Sequence, residues 1–151
     1  SCHMCVLRPE SRGPGSMSSK NPMEDPVIDP NYLSNKNDLK TMIEGYKKMM
    51  QIMNTAPLDK FNNVRNPVNL KDDKSIESAI RARADTIYHP VGTCKMGNDE
   101  MSVVDSNLVV RGTKNLRVVD ASIMPTLVGG NTNAPTIMIA EKIADNIKGI
   151  S

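Results

Sequence analysis

The sequence contains no tryptophan, one phenylalanine and three tyrosines among 151 residues. That scarcity excludes a core built on large aromatic rings. Eleven methionines point instead to an aliphatic, sulfur-rich interior. No stretch approaches the roughly 18 consecutive apolar residues of a spanning helix, so no transmembrane segment is expected. The first residues also lack the basic-then-apolar layout of a secretion signal, and the expected location is cytoplasmic. Charge of one sign is missing too: 19 Lys and Arg stand against 17 Asp and Glu, interspersed without long like-charge runs, and nothing calls for a nucleic-acid partner.

A chain of this length can bury an adequate core as one domain, so a single domain over residues 1–151 is the expectation. Ser1 is followed directly by Cys2-His3-Met4-Cys5-Val6-Leu7-Arg8, which reads like the middle of a strand and favours excision from a longer polypeptide. Residues 9–30 are rich in Pro, Gly and Ser, the composition of turns, short strands and loops. From Asn37 the pattern becomes helical: Leu39, Met42, Ile43, Tyr46, Met49, Met50 and Met53 recur at one-face spacing, with Ser34 and Asn35 as candidate caps and an end near Asn54 to Pro57. This methionine stripe is read as core and not as a ligand surface. A second helix follows Asp72 and Asp73, with Ile76, Ala79, Ile80 and Arg83 on one side, and stops near Asp85.

Three apolar runs, Val103-Val104, Leu108-Val109-Val110 and Leu116-Arg117-Val118-Val119, are separated by turn-prone residues and predict short strands. A last helix is expected with Asn133 as cap and Pro135 in its first turn. It should bury Ala140, Ile143, Ala144 and Ile147 and stop at Gly149. The resulting fold class is α+β, a small, mainly antiparallel sheet covered on one face by helices.

Two segments are candidates for chemistry. In Tyr88-His89-Pro90-Val91-Gly92-Thr93-Cys94-Lys95-Met96-Gly97, Pro90 and Gly92 constrain the backbone beside an imidazole. In Gly129-Gly130-Asn131-Thr132-Asn133-Ala134-Pro135-Thr136, glycines and asparagines precede a helix N-terminus, where N–H groups point outward. A zinc site could be drawn from Cys2, Cys5 and Cys94 with a histidine. If residues 2–7 form a strand, however, positions three apart face opposite ways and cannot chelate together. No metal is expected.

Taken together, YHPVGTCKMG, VVDSNLVVRGTKNLRVVDASIMPT and GGNTNAPTIMIAEKIAD resemble the C-terminal domain of glucose-methanol-choline (GMC) oxidoreductases, especially the choline dehydrogenase-like and alcohol dehydrogenase branch. Cys5 to Gly13 resembles the first strand of that region and Asp29 to Leu33 the turn after it. The resemblance implies an FAD-dependent oxidation of an alcohol to an aldehyde. The N-terminal FAD domain, with its glycine-rich fingerprint, is absent from these residues, and the chain alone is expected to be inactive. The resemblance makes His89 and Asn131 catalytic: His89 takes the hydroxyl proton while hydride passes to the flavin, and Asn131 hydrogen-bonds the developing alkoxide. It also implies FAD contacts from Asp120, Ala121, Asn131, Thr132, Asn133 and Pro135, and a substrate-facing Tyr88. The expected partners are the alcohol and the chain's own FAD domain. Self-association of an uncovered apolar face and a peripheral position on the inner membrane face belong to the same set of expectations. The competing reading is a free-standing, non-catalytic ligand-binding or interaction domain of the same fold.

Overall fold

An asparagine, an aspartate and a serine fix the start of the first helix. In the computed structural model, which describes residues 2–61 and 68–149, helix α1 runs Lys36–Met53. Asn35 is its N-cap, in extended backbone, with its side-chain oxygen accepting from the N–H of Asn37 at 2.8 Å. This satisfies one of the orphan donors of the first turn. Asp38, in that first turn and only 4 % exposed, accepts from the N–H groups of Glu10 and Ser11 and from the Ser11 hydroxyl. Burial pushes its carboxyl up, but these hydrogen bonds, with nearby Arg12, outweigh burial and hold it below the usual carboxylate range. Ser11 Oγ in turn accepts from the N–H of Asn35.

The expected methionine stripe is the packed face of α1. Tyr46 is buried, Met42, Ile43, Met49 and Met50 are half-buried, and all pack with Ile76 and Ile80 of helix α2, Asp73–Arg81. Asp72 caps α2 by accepting from the N–H of Lys74. Ile76 is fully buried, a side chain worth about 1.5–3 kcal/mol of hydrophobic stabilisation. The expected continuation of α2 to Asp85 stops at Arg81, and Arg83 is exposed.

Two antiparallel strands, β1 (Gly15–Ser16) and β2 (Val27–Ile28), pair Gly15 with Ile28 and Ser16 with Val27. All four residues are exposed. Gly13 stands beside this hairpin where a Cβ would lie 1.8 Å from the carbonyl oxygen of Asp29, so only glycine lets the two segments approach. Residues 2–8 form no strand. Met4 and Val6 are half-buried between exposed neighbours, so the alternation exists, but it arises because Met4 packs on the helical cluster. The strand argument against a shared metal site at Cys2 and Cys5 therefore does not hold; both thiols are free and exposed. Among the described residues no group of three or more His, Cys, Asp or Glu could hold a metal ion.

The chain divides into two compact units, Ser1–Ile87 and Tyr88–Ser151; the elements above belong to the first. In the second, the three predicted strands are reduced to single bridges. Met96 pairs with Val104 in parallel, and Val104 with Val110 and Val109 with Arg117 antiparallel. Left-handed residues explain why no ladder extends: Leu108, Gly112 and Asn115 all have positive φ, and each turns the chain before a strand can lengthen. Asp105 organises the first of these turns by accepting from the N–H groups of Asn107 and Val109. Asp99 organises the preceding one; hydrogen bonds from Lys95 and Ser102 hold its carboxyl down to about 2.

Helix α3, Asn133–Lys148, closes the unit. Its Ile143 joins Val104, Leu108 and Ile123 in the core, with Ile139 packed against them. Ala144 is half-buried, while Ala140 and Ile147 are exposed, contrary to the burial expected of them. The covered face runs through Ile139 and Ile143, four residues apart. Gly149, at φ 71°, ends the helix in the left-handed conformation, as expected. With a small antiparallel sheet and three helices, the fold is α+β. No helix among the described residues is long and apolar enough to cross a membrane.

Candidate active site

The histidine segment opens on a constrained residue. Tyr88 has φ +63°, uncommon for a bulky side chain and costly by roughly 1 kcal/mol, and it fixes the direction in which the chain enters His89. Beyond it, backbone bonds fasten the segment to a 3-10 turn at Ala121–Ile123: the N–H of Cys94 donates to Ser122 O at 3.0 Å, and that of Met96 to Ile123 O at 2.8 Å. Gly92, at φ +91°, makes the bend that these two anchors require. Ile123 and Met124 are buried, so the anchor is part of the core.

Asp120 shapes the other side of that turn. Its carboxylate accepts from the N–H and hydroxyl of Ser122, so the side chain is spent on its own turn. Ala121 beside it is half-buried. The chain then passes through Gly129 and Gly130 to Asn131, Thr132 and α3.

Here the two motif segments meet. His89 Nδ1 lies 2.9 Å from Thr132 Oγ1, and His89 Nε2 lies 3.1 Å from Asn131 Nδ2. The imidazole is thus held at both nitrogens by two consecutive residues more than forty positions away in sequence. Their exposures differ: Asn131 is exposed and Thr132 only 8 % exposed, with His89 between them in degree. Thr132 is also the N-cap of α3, yet its side chain makes no capping bond. Its carbonyl accepts from both the N–H and the hydroxyl of Thr136.

Of the residues expected at the site, the structure brings together His89, Asn131 and Thr132. Asn133, expected to cap α3, is instead its first helical residue and is exposed; Pro135 is half-buried in the first turn. Tyr88 is 79 % exposed. Sequence reasoning missed the direct contact of Thr132 with the imidazole. A threonine among turn residues carries no signal of which distant ring it will touch.

The comparisons with known proteins agree with one another. The sequence profile of the GMC oxidoreductase family, for its C-terminal region, matches residues 9–140. The chain is 57 % identical over 148 residues to an alcohol dehydrogenase [acceptor] of Pseudomonas putida, covering 96 % of this chain and 27 % of that protein. It is 45 % identical over 150 residues to an oxygen-dependent choline dehydrogenase of Cronobacter sakazakii, covering 98 % and 27 %. It thus spans about a quarter of the length of these curated relatives. Among solved structures, pyridoxine 4-oxidase from Mesorbium loti superposes with a TM-score of 0.82 at 32 % identity, covering 93 % of this chain and 28 % of that one. A formate oxidase from Aspergillus oryzae, described with its FAD modification, gives 0.85 at 30 % identity, covering 95 % and 26 %.

Proposed function

Because the chain belongs to the GMC oxidoreductase family, we propose that it forms the substrate-facing, base-bearing part of an FAD-dependent oxidoreductase that converts an alcohol to an aldehyde. The observation that carries this reading is the imidazole of His89, held at both nitrogens by Thr132 and Asn131. A side chain fixed in this way is oriented before substrate arrives. When bound, FAD supplies the acceptor for the alcohol's hydride.

The chain's own residues do the rest. His89 takes the hydroxyl proton on Nε2, which makes the carbon a better hydride donor. Asn131 donates an N–H to the alkoxide oxygen as charge develops there. Being exposed, its amide can turn from Nε2 toward that oxygen.

The fit of the cofactor rests on the start of α3. Thr132 leaves its helix uncapped, so the N–H groups of Asn133 and Ala134 have no intrahelical acceptor; Pro135 has none to offer. Two outward donors at a helix N-terminus suit a polar, electron-rich ring edge, and Asn131 to Pro135 would hold it there. Asp120 and Ala121 would contribute through their backbone, since the Asp120 carboxylate is already engaged. No G-x-G-x-x-G occurs in the chain, so the dinucleotide part of FAD would be held by a separate N-terminal domain of the longer protein, and the chain alone would not turn over. The exposed Tyr88 would face the alcohol, alongside surfaces of that domain.

The test is His89→Ala in the full-length flavoprotein. Flavin reduction by alcohol should slow by about 10²–10⁴-fold while FAD stays bound. Reduction at the normal rate would remove the base from the mechanism.

A further inference from the structure

We infer that Thr132 is a positioning residue: its hydroxyl keeps the His89 proton on Nδ1 and so leaves Nε2 as the acceptor nitrogen. The functional weight of this inference rests on His89 being the base proposed above. The geometry itself does not.

A side-chain amide nitrogen can only donate. With Asn131 Nδ2 at 3.1 Å from Nε2, Nε2 accepts. A neutral imidazole carries one N–H, so the proton sits on Nδ1, and Thr132 Oγ1 at 2.9 Å receives it. The two contacts form one ordered relay, from amide to ring to hydroxyl.

They are not equivalent supports. Asn131 is exposed and would leave Nε2 when it turns to an alkoxide. Thr132 is 8 % exposed, and its carbonyl is tied down by the Thr136 N–H and hydroxyl, so it cannot follow. At the moment the base is needed, Thr132 alone holds the tautomer. An N-cap threonine ordinarily turns its oxygen back to the first-turn N–H groups. Here that oxygen faces the histidine, and the helix start is left open.

Two variants separate this role from simple packing. Thr132→Val keeps the shape and removes the hydroxyl, whereas Thr132→Ser keeps the hydroxyl and loses a methyl group. The tautomer is read from the ring-nitrogen shifts of the ¹⁵N-histidine-labelled chain, which has only His3 and His89; His89→Gln assigns the signals. In an Asn131→Ala background, which takes the amide off Nε2, the chain with Thr132 retained and Thr132→Ser should show the proton on Nδ1, and Thr132→Val should move it to Nε2. In the full-length flavoprotein, Thr132→Val should slow flavin reduction at saturating alcohol by at least about tenfold, as expected for a base in the wrong tautomer, and Thr132→Ser should stay near the wild type. An Nδ1 proton that persists when Asn131→Ala and Thr132→Val are combined, or a serine variant as slow in flavin reduction as the valine one, would overturn the inference. Normal reduction in His89→Ala would instead sink the base assignment while leaving the tautomer result standing.

Discussion

An asparagine stands at the start of a helix in each unit, and the two are used differently. Asn35 caps α1 with its side-chain oxygen, and its amide nitrogen reaches the Glu10 carboxylate. Asp38 and Ser11 add further bonds around the same turn. Asn133 begins α3 exposed, and the cap before it has given its hydroxyl to a histidine. The first helix start is closed by its own chain and contributes stability. The second is left open, at a cost to the helix, and its unsatisfied donors lie beside the one imidazole of that unit. The missing cap of α3 thus falls at the helix start where we propose that the cofactor is held.

This contrast can be broken most forcefully at Asp38. Replacing it with Ala leaves two backbone N–H groups and a serine hydroxyl without their acceptor in a poorly exposed place, and should cost about 3 kcal/mol in urea denaturation. A loss below about 0.5 kcal/mol would mean that the closed start is decorative. The same contact should appear in the pH dependence. The folded carboxyl of Asp38 is held below its unfolded value, so its contribution is complete above the unfolded value of about 3.9 and is lost as pH falls through the lower, folded one. Asp38→Asn should lose this acid-side slope. An unchanged slope between the two would assign it to other carboxylates.

Smaller effects sharpen the comparison. Asn35→Ala should cost about 1 kcal/mol, the usual value of an N-cap. Asn133→Ala, at the corresponding end of α3, should stay within about 0.5 kcal/mol, because that side chain closes nothing. Equal losses at the two positions would show that the open start is no different from the closed one.

The sequence made the helices legible because their signals are local. The spacing from Leu39 to Met53, the caps at Asn35 and Asp72 and the stop at Gly149 depend on neighbours a few residues away. The strands of the second unit were less so: Val103-Val104 and Leu108-Val109-Val110 have β-like composition, but the left-handed turn at Leu108 falls at a residue that does not announce it. Asn133 reads as a cap for a similar reason, since asparagine, threonine and asparagine in succession offer three candidates and only tertiary contacts choose Thr132 among them. At the site, the motifs around His89 and Asn131 could be recognised by resemblance. That Thr132 would touch the same ring depended on the backbone bonds from Cys94 and Met96 to the 3-10 turn, which bring the segments together.

The small hairpin has a consequence of another kind. Pro14 and Pro26 immediately precede its two strands and Pro30 follows shortly after β2, so neither strand can donate a backbone hydrogen at those positions. A ladder two residues long, hemmed in this way, offers no usable edge to a neighbouring molecule. Exposed though they are, Val27 and Ile28 sit where strand-by-strand growth into fibres has nowhere to begin.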